Sequence, residues 1–171
     1  METLFENTYK RTREVVTETM RYMYFRKPWS IVYWAVLVGM TVFMTALIVW
    51  ARYFSWMCAM YYALAAYVVL RNLYRFRKSI RLQIARDREQ YGEEPVAVDT
   101  FFSQSGICIH PQEGKPAEIA YENIKYAAQT KHLIIFFTQA KLYHTVHKDG
   151  FTKGNAAECL AFLKEKGIKI R

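Results

Sequence analysis

Two stretches of the chain lack charge altogether, Pro28 to Ala51 and Tyr53 to Leu70. Within the first, Trp29 to Trp50 forms a helix of about 33 Å at 1.5 Å rise per residue. That length crosses a hydrocarbon core of about 30 Å. Trp29, Tyr33 and Trp34 at one end and Trp50 at the other suit the headgroup level. The second stretch, Tyr53 to Leu70, is about 27 Å long by the same rise. Its Tyr61, Tyr62 and Tyr67 predict a face turned towards a partner helix. Neither stretch has the polar face of a soluble amphipathic helix. The first begins too late, runs too long and lacks the small-residue site of a cleaved signal peptide. The pattern predicts a two-helix transmembrane hairpin over residues 28–70.

The flanks follow helical spacing. Phe5, Tyr9, Thr12, Val16, Met20 and Met23 recur every three or four residues. This predicts an amphipathic helix within residues 1–27, lying on the membrane surface or packed on a cytosolic domain. Beyond the second stretch, Leu73, Phe76, Ile80 and Ile84 keep the same period up to Gly92. The second span should therefore run on as a basic stalk helix over residues 71–92, closed by the glycine.

After Gly92-Glu93-Glu94-Pro95 the period shortens. Strand-like runs occupy Val96–Phe102, Ile107–His110, Glu118–Tyr121, Ile124–Gln129, Leu133–Thr138 and Lys141–His147, separated by hairpin-like turns. Asn155 and Glu158 have capping-box spacing ahead of a helix bearing Ala156, Leu160 and Leu163 on one face, ended by Gly167. Residues 93–171 thus predict a small α+β domain. It should be one highly curved antiparallel sheet with a C-terminal helix over one open end. Six strands, a capped helix and balanced charge suggest that residues 94–171 fold alone.

The net charge of +9 among 171 residues refines this picture because it is uneven. The excess gathers beside the apolar stretches, at Arg21, Arg26 and Lys27 before the first and at Arg71, Arg75, Arg77, Lys78 and Arg81 after the second. Only Arg52 lies in the connecting turn. The positive-inside rule then places both termini in the cytoplasm. Anionic lipid headgroups, rather than nucleic acid, are the expected counter-charge for Arg71, Arg75, Arg77, Lys78 and Arg81. A composition of 53% hydrophobic residues with long charge-free runs excludes disorder, a collagen-like fibre and a disulfide scaffold. Cys58, Cys108 and Cys159 are odd in number and lack CxxC spacing, so reduced thiols filling apolar space are expected.

The hairpin, the basic stalk and the strand series together resemble the YcxB-like bacterial membrane proteins. The resemblance is carried by Ile119-Ala120-Tyr121-Glu122-Asn123-Ile124, by Leu133-Ile134-Ile135-Phe136-Phe137 and by Lys148-Asp149-Gly150-Phe151 followed by Ala156 to Lys166. His147 stands where that family often has a proline before the Lys-x-x-Phe turn. The resemblance implies a pleckstrin-homology-like (PH-like) module, a two-pass bacterial membrane protein and no catalytic residues. Ile119, Tyr121, Ile124, Lys148, Phe151, Phe162 and Leu163 would then be structural. PH-like modules often bind phosphoinositides through basic residues of the first strand loop. Gln104-Ser105-Gly106, taken as that loop, has no cation, and the next has only Lys115 beside Glu113.

Catalytic signatures are absent: there is no GxSxG, HExxH, Walker loop or GxGxxG. His144 and His147, three apart in a strand, point to opposite faces, so neither they nor His110 and His132 predict a metal site. Asp99, Glu118 and Glu122 read as surface charge. No cofactor is expected. The leading expectation is a non-enzymatic membrane-tethered adaptor, accessory or immunity-type protein. It would contact lipids and either a protein partner or a second copy of itself. A lipid- or stress-sensing regulator is the alternative, and a membrane enzyme the remote one.

Overall fold

The computed structural model describes residues 3–52, 54–92, 95–112 and 116–171. The start of the second apolar stretch at Tyr53, the linker residues Glu93 and Glu94, and Glu113 and Lys115 lie outside the described residues. The chain forms two compact units, one from residues 1–19 and 83–171, the other from residues 20–82.

The first unit is α+β with antiparallel sheets and a C-terminal helix. Its strands are β1 (Phe5–Arg11), β2 (Val96–Phe102), β3 (Gly106–Pro111), β4 (Ala117–Ala120), β5 (Ile124–Gln129), β6 (Leu133–Thr138), β7 (Tyr143–His147) and β8 (Phe151–Lys153). Instead of one curved sheet there are two, a five-stranded one in the order β4-β3-β2-β1-β8 and a three-stranded one in the order β5-β6-β7.

β1 corrects the sequence-based expectation for residues 1–27. Phe5–Arg11 is a strand, not part of a helix, and only Arg13–Arg21 forms the α-helix α1. β1 pairs with β2 from Phe5↔Phe102 to Arg11↔Val96, and with β8 on its other edge. The physical reason is alternation: Asn7 and Tyr9 are buried while Thr8 and Lys10 are exposed, which a strand provides and a helix does not. Asn7 Nδ2 donates to the His147 carbonyl at 2.7 Å, and Tyr9 Oη lies 2.8 Å from Thr145 Oγ1. Residues 94–171 are therefore not a self-contained set of elements, and the domain is not bounded at residue 93. Gly150 permits the close approach on this side: a Cβ there would stand 2.7 Å from the Thr8 carbonyl oxygen.

The core gathers Phe102, Ile107, Tyr121, Ile124, Ile134, Phe136, Val146, Cys159 and Leu163 from both sheets, from the 3-10 turn Tyr121–Asn123 and from α4 (Ala156–Glu165). Phe162 packs its ring on Phe5 and Tyr121, with centroids 5.7 and 5.8 Å apart. Asn155 Oδ1 accepts from the Glu158 amide at 2.9 Å, the expected cap, and Gly167 takes φ +80° beyond the helix end. Burial pushes the Cys159 thiol up to about 12, so it is an inert core group.

The second unit contains a π-helical turn (Tyr22–Arg26), α2 (Pro28–Ala51) and the first part of α3 (Trp56–Tyr91). α3 continues without a break to Tyr91, and Gly92, at φ +67°, closes it as the sequence spacing predicts. Its last turns belong to the first unit. There Arg11 Nε meets Asp87 Oδ2 at 3.3 Å, Gln83 Nε2 donates to Asp87 Oδ1 at 2.9 Å, and Tyr143 Oη donates to Gln83 Oε1 at 3.3 Å.

Candidate membrane-interface site

α2 starts with Pro28 at its first turn and runs 24 residues without a charge. Its apolar composition and its length make it the one helix among the described residues long and apolar enough to cross a membrane. None of its residues is buried within the protein. Trp29 and Trp50, at its two ends, are 82% and 85% exposed. Apolar all round and with no residue buried, the helix is suited to an apolar solvent.

α2 and α3 meet through polar tips. Thr41 and Thr45 each donate to the carbonyl four residues back, at 2.8 and 2.7 Å. Their oxygens are left to accept from Tyr61 Oη at 3.1 Å and Tyr62 Oη at 2.8 Å. Asn72 Nδ2 donates to Tyr33 Oη at 3.3 Å. Hydroxyls paired in this way satisfy their polar groups without water. Tyr61 and Tyr62 thus turn to the partner helix as expected. Tyr67 does not: it is exposed, with the Arg71 guanidinium 5.9 Å from its ring centroid.

At the start of α2 the side chains form an open cleft of about 360 Å³. Trp29, Tyr33, Trp34 and Met23 supply apolar and aromatic walls, and Arg71 and Asn72 supply a cation and an amide. Aromatic packing fixes one side: Phe25 stacks on Trp34 at 5.7 Å, Phe76 meets Tyr24 and Phe25 edge-on at 5.8 and 5.5 Å, and Tyr24 Oη bonds Ser79 Oγ at 2.7 Å. Such a cleft can hold a molecule that is anionic at one end and apolar along the rest.

Of the five basic residues singled out from sequence, only Arg71 lines the cleft. Arg75, Arg77, Lys78 and Arg81 are exposed on α3, across the helix from Phe76 and Ile80. Tyr33 was marked from sequence as an interfacial aromatic, whereas Asn72 and Tyr24 escaped the sequence reading. Their signal was the coincidence of aromatics before one apolar helix with a polar Asn-Arg pair at the end of the next.

The seven motif residues named from sequence all lie in the first unit. Tyr121, Ile124 and Leu163 are in the core, and Ile119, Phe151 and Phe162 pack against it. Lys148 Nζ donates to the Thr130 carbonyl at 2.7 Å. His144 and His147 do part company. Burial, helped by Arg11, lowers the His144 pKa to about 3, and its Nε2 lies 3.1 Å from Thr100 Oγ1. Asp99 accepts from Thr8 Oγ1 at 2.7 Å. Gln104-Ser105-Gly106 joins β2 to β3; because β1 precedes them, it is not the first strand loop.

Residues 102–163 match the family model described as YcxB-like protein, so this stretch of the chain is a YcxB-like domain. The match begins at the last residue of β2 and leaves out β1 and both apolar helices. Neither the curated proteins nor the solved structures offer a match to the chain.

Proposed function

We propose that the chain is a two-pass bacterial membrane protein that presents its YcxB-like domain on the cytoplasmic side as a non-enzymatic, PH-like interaction module. One observation carries this reading. β1 precedes the apolar helices and β2 follows them, yet the two strands pair over seven residues of one sheet. A chain that leaves a folded sheet and returns to it crosses a bilayer an even number of times. If α2 crosses, α3 crosses back.

The return is short. The charge-free part of α3, from Trp56 to Leu70, is about 22 Å long. Local thinning and snorkelling of Arg71 and Arg75 make up the difference at a modest cost. Both termini face the cytoplasm, because Arg21, Arg26 and Lys27 and the α3 cluster outweigh the lone Arg52 between the helices. Tethering holds the module close to the bilayer and raises its effective concentration towards membrane partners or a second copy of itself.

A second reading is favoured by the cleft at Arg71: a regulator that responds to anionic lipid, held there and by Arg75, Arg77, Lys78 and Arg81. Reporter fusions at both termini test the common premise, with cytoplasmic signals expected from each. An external signal from the C-terminal fusion overturns it. Purification in mild detergent then separates the readings. A stoichiometric protein partner, or a stable homo-oligomer, favours the adaptor. Co-purifying anionic lipid that is lost in Arg71→Gln favours the regulator.

A further inference from the structure

Away from the membrane helices, a groove of about 450 Å³ opens between α1, the β5–β6 turn and the end of β7. Two histidines and a carboxylate converge there. His132 precedes β6 and His147 ends β7, and the register Leu133↔His147 makes them cross-strand neighbours. The Lys148 amide donates to the His132 carbonyl at 2.8 Å, which ties the two turns together. The imidazole rings lie 12° from parallel with centroids 6.1 Å apart. Asp149 sits in the 3-10 turn that follows, and its amide donates to His147 Nδ1 at 3.3 Å.

One nitrogen from each histidine and one Asp149 oxygen lie within 4.8 Å of one another. A fourth group supports them from α1, where Glu18 Oε1 accepts the His132 backbone N–H at 3.0 Å. The ammonium of Lys148, which lies between two of the ligands in sequence, is spent on the Thr130 carbonyl.

We propose that His132, His147 and Asp149 bind a divalent cation of the zinc class, with Glu18 fixing the turn that carries His132. Two imidazoles and one carboxylate form a borderline ligand set suited to zinc and its neighbours, with water completing the shell. Bond lengths of about 2.0–2.1 Å require ligand atoms roughly 3.3 Å apart. The ligand atoms already lie within 4.8 Å of one another, and the His132 and Asp149 side chains that must draw together are exposed. Glu18 contributes a second negative charge beside a doubly positive ion. Binding would join α1 to both strand turns.

The test is titration of the full-length, metal-stripped protein in detergent with zinc chloride, and with cobalt chloride for its visible d–d bands. One equivalent should bind, raise the melting temperature, and give cobalt bands of a low-symmetry site. His132→Ala, His147→Ala and Asp149→Asn should each weaken binding more than tenfold, and Glu18→Gln about tenfold. His110→Ala should leave it unchanged. Asp149→Asn keeps the size of the side chain, so its loss of affinity with an unchanged apo melting temperature is not a folding defect. Undiminished binding in the His132→Ala/His147→Ala double variant, or loss of binding in His110→Ala, overturns the site.

Discussion

Arg11 and Val96 face each other at the end of an antiparallel ladder, the geometry that a two-residue Asn-Gly turn closes. Joining residues 3–11 to 96–171 through such a turn removes both apolar helices and keeps every strand of both sheets. Residues 95–171 alone lack β1. Its loss removes the burial of Tyr9, which is 7% exposed, at about 1.5–3 kcal/mol. It also removes the bonds from Asn7 to His147 and from Tyr9 to Thr145, at about 1 kcal/mol each. The Phe5 ring contacts with Phe102 and Phe162 go too, at about 0.5–1.5 kcal/mol each. Together these reach about 5–8 kcal/mol, comparable with the whole stability of many domains. Shortening the connection returns about 3 kcal/mol of loop-closure entropy to the joined chain. That offsets the lost packing of Val15 and Val16 on α1 and the Arg11–Asp87 pair. The assay is urea denaturation followed by circular dichroism, with proton NMR for dispersion. The joined chain should unfold cooperatively, and residues 95–171 should show neither a transition nor dispersed methyl resonances. If the two share one midpoint, β1 is dispensable and the even-crossing argument loses its basis.

Leu163→Ala should cost about 2–5 kcal/mol, because the side chain is fully buried in the core; an unchanged melting temperature would refute the packing of α4. His144 has a folded pKa of about 3 against an ordinary value of 6.5, so the unfolded chain binds the extra proton between those limits. Stability should therefore fall as pH drops below 6.5, by up to about 1.4 kcal/mol per pH unit, and level off below 3. His144→Gln should flatten that slope between pH 6.5 and 4.5 in pH-dependent melts. Replacing Arg75, Arg77, Lys78 and Arg81 with Gln should weaken surface attraction to anionic leaflets by about 4 kcal/mol while the first unit stays folded. Equal hydrogen-exchange protection of α3 in anionic and neutral nanodiscs, for wild type and variant, would contradict it.

The local signals were legible. β2, β5 and β6 fall on the very residues that the strand-like runs marked, and the Asn155 cap and Gly167 stop bound α4 as their chemistry requires. What failed depends on distant partners. Asn7 is polar, so a reading of apolar positions skipped it and followed Phe5, Tyr9 and Thr12 into a helix. Its burial follows from an acceptor 140 residues away. β8 is three residues long, too short for any period to appear, and takes its place by pairing with β1 and by packing Phe151 on Phe102. The histidines show the same limit. Spacing along one strand separates His144 from His147 correctly, but says nothing of His132, which register brings alongside.

The pairing of β1 with β2 also imposes an order of assembly. β1 leaves the ribosome first and has no partner until Val96 has been made. At about 5–20 residues per second, synthesis of the intervening segment takes roughly 4–17 s. On the proposed two-pass topology, β1 is through that interval an unpaired edge tethered at the membrane while the apolar helices enter it. Nothing local distinguishes its own β2 from that of a neighbouring chain emerging at the same time. Biogenesis at high expression should therefore yield strand-exchanged dimers, and slowing initiation should reduce them.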